Sequence, residues 1–148
     1  MAVMRNAPIL RPLGDEALKL LAFGSLPRSY KPRQTLFEAG DDADGAILIL
    51  GGQMRLVPGV SGGEPKVVGV GALVDELALI VPVQRSASAV AQTSCEVLAI
   101  PREQMHRIFE EYPETANTLR TQLARRTLSL IEDVKELRRR LDPPSSAG

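Results

Sequence analysis

A mainly β domain with flanking helices is the fold class this sequence predicts, on three observations. Short apolar runs between Tyr30 and Ile100 alternate with turn signals about every ten residues, within the spacing of small antiparallel folds. Gly, Pro and Asp cluster in the intervals, as in "GDDADG" and "PGVSGGEP". Outside that stretch the apolar residues change to helical spacing. Strands so short and so regularly interrupted close into a small antiparallel barrel or sandwich.

The elements follow in order. The first dozen residues show no period, and "GDEALKLLAF" then puts Ala17, Leu18, Leu21 and Ala22 on one face behind Asp15 and Glu16, a short amphipathic helix. "QTLFEAG", "AILIL", "QMRLVP", "KVVGV" and "CEVLAI" are the strand candidates. "PGVSGGEP", residues 58–65, is a hairpin tip, because glycine supplies positive φ and proline cannot donate to a central ladder. "GDDADG", residues 40–45, is a tight turn whose Asp side chains bond their own backbone; it lacks the length and terminal Glu of a calcium loop. "GVGALV", residues 69–74, is a β-turn without the third glycine of a dinucleotide fingerprint. Strand alternation places Cys95 with Val97 in the interior.

Pro101 suits the first position of a helix in which Met105, Ile108, Phe109 and Tyr112 share a face, and Pro113 ends it. Residues 114–141 contain no Gly or Pro and would form one helix of about 42 Å. Ala116, Leu123, Leu130 and Leu137 recur every seven residues, the seam of a homodimeric coiled coil; Leu119, Leu128 and Ile131 on other faces instead suit a helix folded back on the barrel. The expected organisation is 1–113 as the β unit with its N-terminal helix, 114–141 as the long helix and 142–148 as a disordered tail.

With 148 residues the chain buries roughly 70% of its unfolded surface without staples. Its 18 basic and 18 acidic residues cancel, so bulk charge argues for neither nucleic acid nor an anionic membrane. Without Trp, and with two Tyr and three Phe, it lacks the stacking platforms of single-strand binders. Its apolar runs fall short of the roughly 20 residues of a membrane span, so no membrane insertion is expected. One cysteine and an opening without a secretory pattern imply a cytoplasmic protein. His106 is the only histidine, which removes most triads and multi-histidine metal sites; it belongs at a helix edge, and neither enzyme activity nor a metal is expected.

Chemistry concentrates in "GALVDELALIVPVQRSASAV", residues 71–90, where Asp75-Glu76 and Arg85-Ser86 bracket an apolar run. This stretch resembles the phosphate-binding cassette of the cyclic nucleotide-binding domain family. "FEAGDDADGAILILGGQMRLV" resembles the first half of the same domain. "TSCEVLAI" and "PREQMHRIFEEYPETANTLRTQLARR" are similar to the last strand and long helix of the catabolite-activator class of regulators. The resemblance covers about residues 14–137 and implies an eight-stranded antiparallel β-roll plus a long C-terminal helix.

It also implies a ligand, cyclic AMP or cyclic GMP, and roles for seven residues. A buried phosphodiester needs a counter-charge and donors, which Arg85, Ser86 and the amides of "ELAL" would supply. Glu76 would accept the ribose 2′-hydroxyl proton, while Val74, Leu77 and Ala87 wall the site. Asp75 departs from the pattern, which has glycine there; its carboxylate is expected to cap the cassette helix and pair with Arg85, weakening or abolishing binding. Leu130 and Ile131 replace a Thr-Ser pair that contacts adenine in the catabolite-activator class, leaving the base open. Regulators of that class continue into a helix-turn-helix, whereas seven residues follow the long helix here, so direct DNA binding is not expected. The basic knot Arg138–Arg140 complements a helix C-terminus. Output would pass to an unidentified downstream protein; the alternative is a degenerate domain serving as a dimerisation scaffold.

Overall fold

Residues 45–51, GAILILG, are apolar on both faces of one strand, and the layering follows from that. The computed structural model describes residues 10–59 and 63–122. In order these form α1 (Asp15–Phe23), β1 (Leu26–Tyr30), β2 (Thr35–Phe37), β3 (Asp42–Ala43), β4 (Gly45–Gly51) and β5 (Met54–Pro58). There follow β6 (Lys66–Val68), β7 (Leu73–Val74), a 3-10 turn (Glu76–Leu79), β8 (Val83–Gln84), β9 (Ala87–Ala91), β10 (Cys95–Pro101) and α2 (Arg102–Glu111). A third helix, α3, begins at 113 and is described as far as 122.

Two four-stranded antiparallel sheets, ordered β1-β10-β4-β7 and β2-β9-β5-β6, face each other, with β3 and β8 as a separate ribbon. The eight strands of the two sheets make the expected roll. Ile47 and Ile49 of β4 point between the sheets, where they meet Met54, Leu56, Ala89, Ala91, Cys95 and Val97. Ala46 and Leu48, one residue out of phase, point the other way into Leu18, Leu21, Ile100, Met105, Ile108, Ala116 and Leu119. A strand with an apolar core on each face has no room for polar side chains, hence its unbroken run.

Most sequence expectations hold. Ala17, Leu18 and Leu21 are buried on α1, Met105, Ile108 and Phe109 on α2, and Cys95 beside Val97. The 53–58 and 66–70 runs pair as a hairpin, Met54 opposite Val68 and Leu56 opposite Lys66. Three local expectations are corrected. Pro101 ends β10 and stands at the N-cap of α2 with φ −69° and ψ 144°, because its carbonyl side still belongs to the strand pairing with Gly45. Pro113 opens the next helix as well as closing α2, a first-turn place that needs no N–H. Asp42 and Ala43, placed in a turn by sequence, pair with Gln84 and Val83. The turn itself is tighter: Gly40 has φ +93° and the Glu38 N–H donates to Asp41 Oδ2 at 2.9 Å.

Of the long helix expected over 114–141, the part beyond 122 and the seam positions Leu123, Leu130 and Leu137 lie outside the described residues, as does the tail. Ala116 and Leu119 are buried against the helical cluster, and the Arg120 guanidinium lies 5.7 Å from the Phe109 ring centroid. Among the described residues no helix is long and apolar enough to cross a membrane.

Candidate functional site

The segment between β7 and β9 carries the chain from one four-stranded sheet to the other. β7 pairs with β4, Val74 opposite Ile47 and Leu73 opposite Leu48. The chain then turns sharply at Asp75, with φ 60° and ψ 49°, into the single 3-10 turn Glu76–Leu79. Ala78 and Leu79 are fully buried, so the turn is seated by its apolar side. Leu79 belongs to the same cluster as α1, α2 and the start of α3, which ties the cassette to the helices rather than to the roll interior.

Arg85 is held from both ends. Its N–H donates to the Asp41 carbonyl at 2.7 Å and its own carbonyl accepts from the Gly40 N–H at 2.8 Å, so the 40–45 turn fixes where the side chain starts. The side chain is 6% exposed. Its Nη1 donates to Asp75 Oδ2 at 2.9 Å and to the Gly45 carbonyl at 3.0 Å, and its Cζ stands 4.3 Å from the Phe37 ring centroid. Asp44 Oδ1 lies 3.8 Å from Nη2 but is almost wholly solvated, so it adds little. A guanidinium so desolvated requires a close anion, which Asp75 provides.

The expected cap does not form. Asp75 stands in the left-handed region and makes no side-chain bond to the turn's amides, because capping requires extended backbone; its carboxylate turns to Arg85 instead. The expected pairing with Arg85 is present, and Asp75 takes the backbone conformation that glycine adopts most readily.

A cavity of about 360 Å³ opens beside the turn, within the roughly 300–1,000 Å³ of small-molecule sites. Val74, Asp75, Ser86 and Ala87 line it; Glu76, Leu77 and Arg85 do not. Arg85 instead lines a second cavity of about 170 Å³ with Leu36, Asp44 and Ile47, and Phe37 lines both. Leu77 is 42% exposed and Glu76 half-buried. Sequence reading missed Phe37, Leu56, Glu64 and Lys66 in the wall of the larger cavity. The available signal was the two-residue period of the β5–β6 hairpin, whose pair Leu56 and Lys66 lies opposite in register.

His106 is exposed on α2 with Nε2 3.3 Å from the Ile80 carbonyl, a helix-edge role as expected. Among the described residues no group of three His, Cys, Asp or Glu side chains could hold a metal ion.

Comparison with known proteins agrees with this architecture. The chain is 32% identical over 126 residues to the cyclic AMP receptor protein of Thermus thermophilus, covering 83% of this chain and 58% of that one. It thus spans less than two thirds of the curated relative's length. Among solved structures, the N-terminal domain of a transcriptional regulator from Streptomyces coelicolor superposes with a TM-score of 0.75 at 28% identity, covering 86% of this chain and 94% of that one. A cyclic nucleotide-binding-like protein from Brucella abortus gives 0.66 at 33% identity, over 74% and 96% of the two chains. The family profile described as cyclic nucleotide-binding domain matches residues 27–112, more than half of the chain, and the chain belongs to that family.

Proposed function

We propose that this domain is a regulatory, non-enzymatic module that binds a cyclic mononucleotide in the 360 Å³ cavity and passes the event to a partner protein through the helix beyond Pro113. The observation that carries the reading is a buried guanidinium, Arg85, in contact with Asp75 and Phe37, which both wall the cavity that Ser86 and Ala87 also line. In this reading Arg85 is the counter-charge of the phosphodiester, and Ser86 and the backbone amides that open the 3-10 turn are its donors, the Ala78 N–H being taken by the Asp75 carbonyl at 3.0 Å. Val74 and Ala87 wall the ligand, and Glu76, outside the cavity wall at rest, turns inward on capture to accept from the ribose 2′-hydroxyl. Cyclic AMP is the first ligand to test, since the Thermus thermophilus relative is a cyclic AMP receptor protein, and cyclic GMP the second.

Transmission follows from packing. Leu79 shares one core with Ile108, Phe109, Ala116 and Leu119, so a shift of the 3-10 turn on ligand capture reaches the base of α3. A homodimer through residues 114–141 and a cytoplasmic setting complete the reading. The Asp75–Arg85 contact supports a second one, a domain that keeps the fold as a dimerisation scaffold and no longer binds nucleotide. A thermal-shift titration with cyclic AMP and cyclic GMP separates the two. Ligand at 100 times its dissociation constant stabilises by about 2.7 kcal/mol, which for this size is roughly 5–11 °C. No shift with either at millimolar concentration selects the scaffold.

A further inference from the structure

Arg85 is already occupied. Its Nη1 serves both Asp75 and the Gly45 carbonyl, its face rests on Phe37, and its side chain lines the smaller cavity rather than the larger one. Asp75, 18% exposed, touches both worlds: its carboxylate reaches Arg85 while the residue lines the larger cavity. A monoanionic ligand entering that cavity therefore meets a carboxylate before it meets the cation.

We propose that Asp75 is an internal counter-anion that sets the affinity of the site, so that ligand binding is an exchange of one anion for another at Arg85. The proposal rests on the cyclic mononucleotide reading above. For the exchange, Arg85 leaves its place against Phe37 and turns toward Ser86, and the Asp75 carboxylate is released to water through the cavity mouth. Until it is released, two anions compete for one guanidinium, and their repulsion opposes binding. Backbone conformation favours the test: at φ 60° and ψ 49° both glycine and asparagine fit without new backbone strain, so the effect of either variant comes from the loss of Arg85's anion.

The test is calorimetric titration of the full chain with cyclic AMP and with cyclic GMP, in the wild type, Asp75→Asn and Asp75→Gly. Both variants are expected to tighten binding by about tenfold or more, the size of a removed like-charge contact. If the wild type binds and both variants bind equally or more weakly, Asp75 is not the counter-anion and the nucleotide reading stands. If none of the three binds either nucleotide, the nucleotide reading itself falls, and this role for Asp75 with it. A ligand-free double-mutant cycle of Asp75→Asn and Arg85→Gln, read by denaturant unfolding, checks the pair independently. Coupling of about fivefold or more in the unfolding equilibrium is expected. Additive effects would mean the contact is not held in solution, overturning the proposal.

Discussion

Arg102, in the first turn of α2, donates through Nη1 to the Ala78 carbonyl of the 3-10 turn at 3.1 Å and to the Ala43 carbonyl of β3 at 3.0 Å. The Val81 carbonyl lies 3.3 Å from the same nitrogen, and the Arg102 N–H donates to the Asp44 carbonyl at 2.8 Å. One side chain thus links the cassette, the 40–45 turn and the helix that leads to α3. Carbonyls at the end of a four-residue turn have no helical partner of their own, and a cation answers several at once.

Replacing Arg102 by Ala should cost about 1.5–3 kcal/mol, the worth of hydrogen bonds to a charged group that is half-buried. Unfolding should come about 3–12 °C earlier for a domain of this size. Arg102→Lys keeps the charge but not the guanidinium's reach and fixed donor directions, and should recover only part of the loss. Amide exchange locates the effect: protection should fall at 78–81 and at the start of α2, with the β5–β6 hairpin unchanged. An equal rise in exchange across the whole roll would show that the link is not local.

Leu79 makes the second prediction. Fully buried among α1 and α2 residues, it anchors the turn to the helical core, and Leu79→Ala should destabilise by about 3 kcal/mol through lost transfer energy and the cavity left behind. Two residues earlier, Leu77 is 42% exposed, and Leu77→Ala should stay within about 0.5 kcal/mol. Paired urea titrations decide it. Equal losses at the two positions would contradict the seating of the turn by its inner side.

These residues also mark what could be read without coordinates. The apolar faces of α1 and α2 and the Cys95–Val97 alternation were legible, because burial imposes a period on the sequence. The Asp75–Arg85 pairing was legible only through the resemblance, as the consequence of an aspartate where the cassette pattern has glycine. Strand β9, ASAVA, and the two-residue strands β3, β7 and β8 were not singled out: Ala and Ser carry little strand preference, and a two-residue pair leaves no period. Arg85's location in the smaller cavity was invisible too, since side-chain direction depends on Phe37 and Gly45, some 48 and 40 positions away in the chain. Long-range partners of a single cation have no local signature.

Gly45 supplies the third prediction, and the sign of the effect carries the argument. Its backbone faces β10 so closely that an added Cβ would overlap the Ile100 carbonyl oxygen, although its φ is not positive. Gly→Ala in open space stabilises by about 0.4–1 kcal/mol through the unfolded chain, so any net loss at 45 must come from that overlap. We expect Gly45→Ala to lose about 2 kcal/mol as β4 and β10 are pushed apart, within the range for overpacking. Because the Gly45 carbonyl accepts from Arg85, the amide shifts of Arg85 and Ser86 should move with those of Ile100. Gly40→Ala is the control: nothing lies within 4 Å of its added Cβ, and only φ +93° opposes it. Its cost should be about 1–2 kcal/mol with shift changes confined to the 38–41 turn. A stabilised Gly45→Ala protein would mean that the two strands stand further apart in solution than this packing requires.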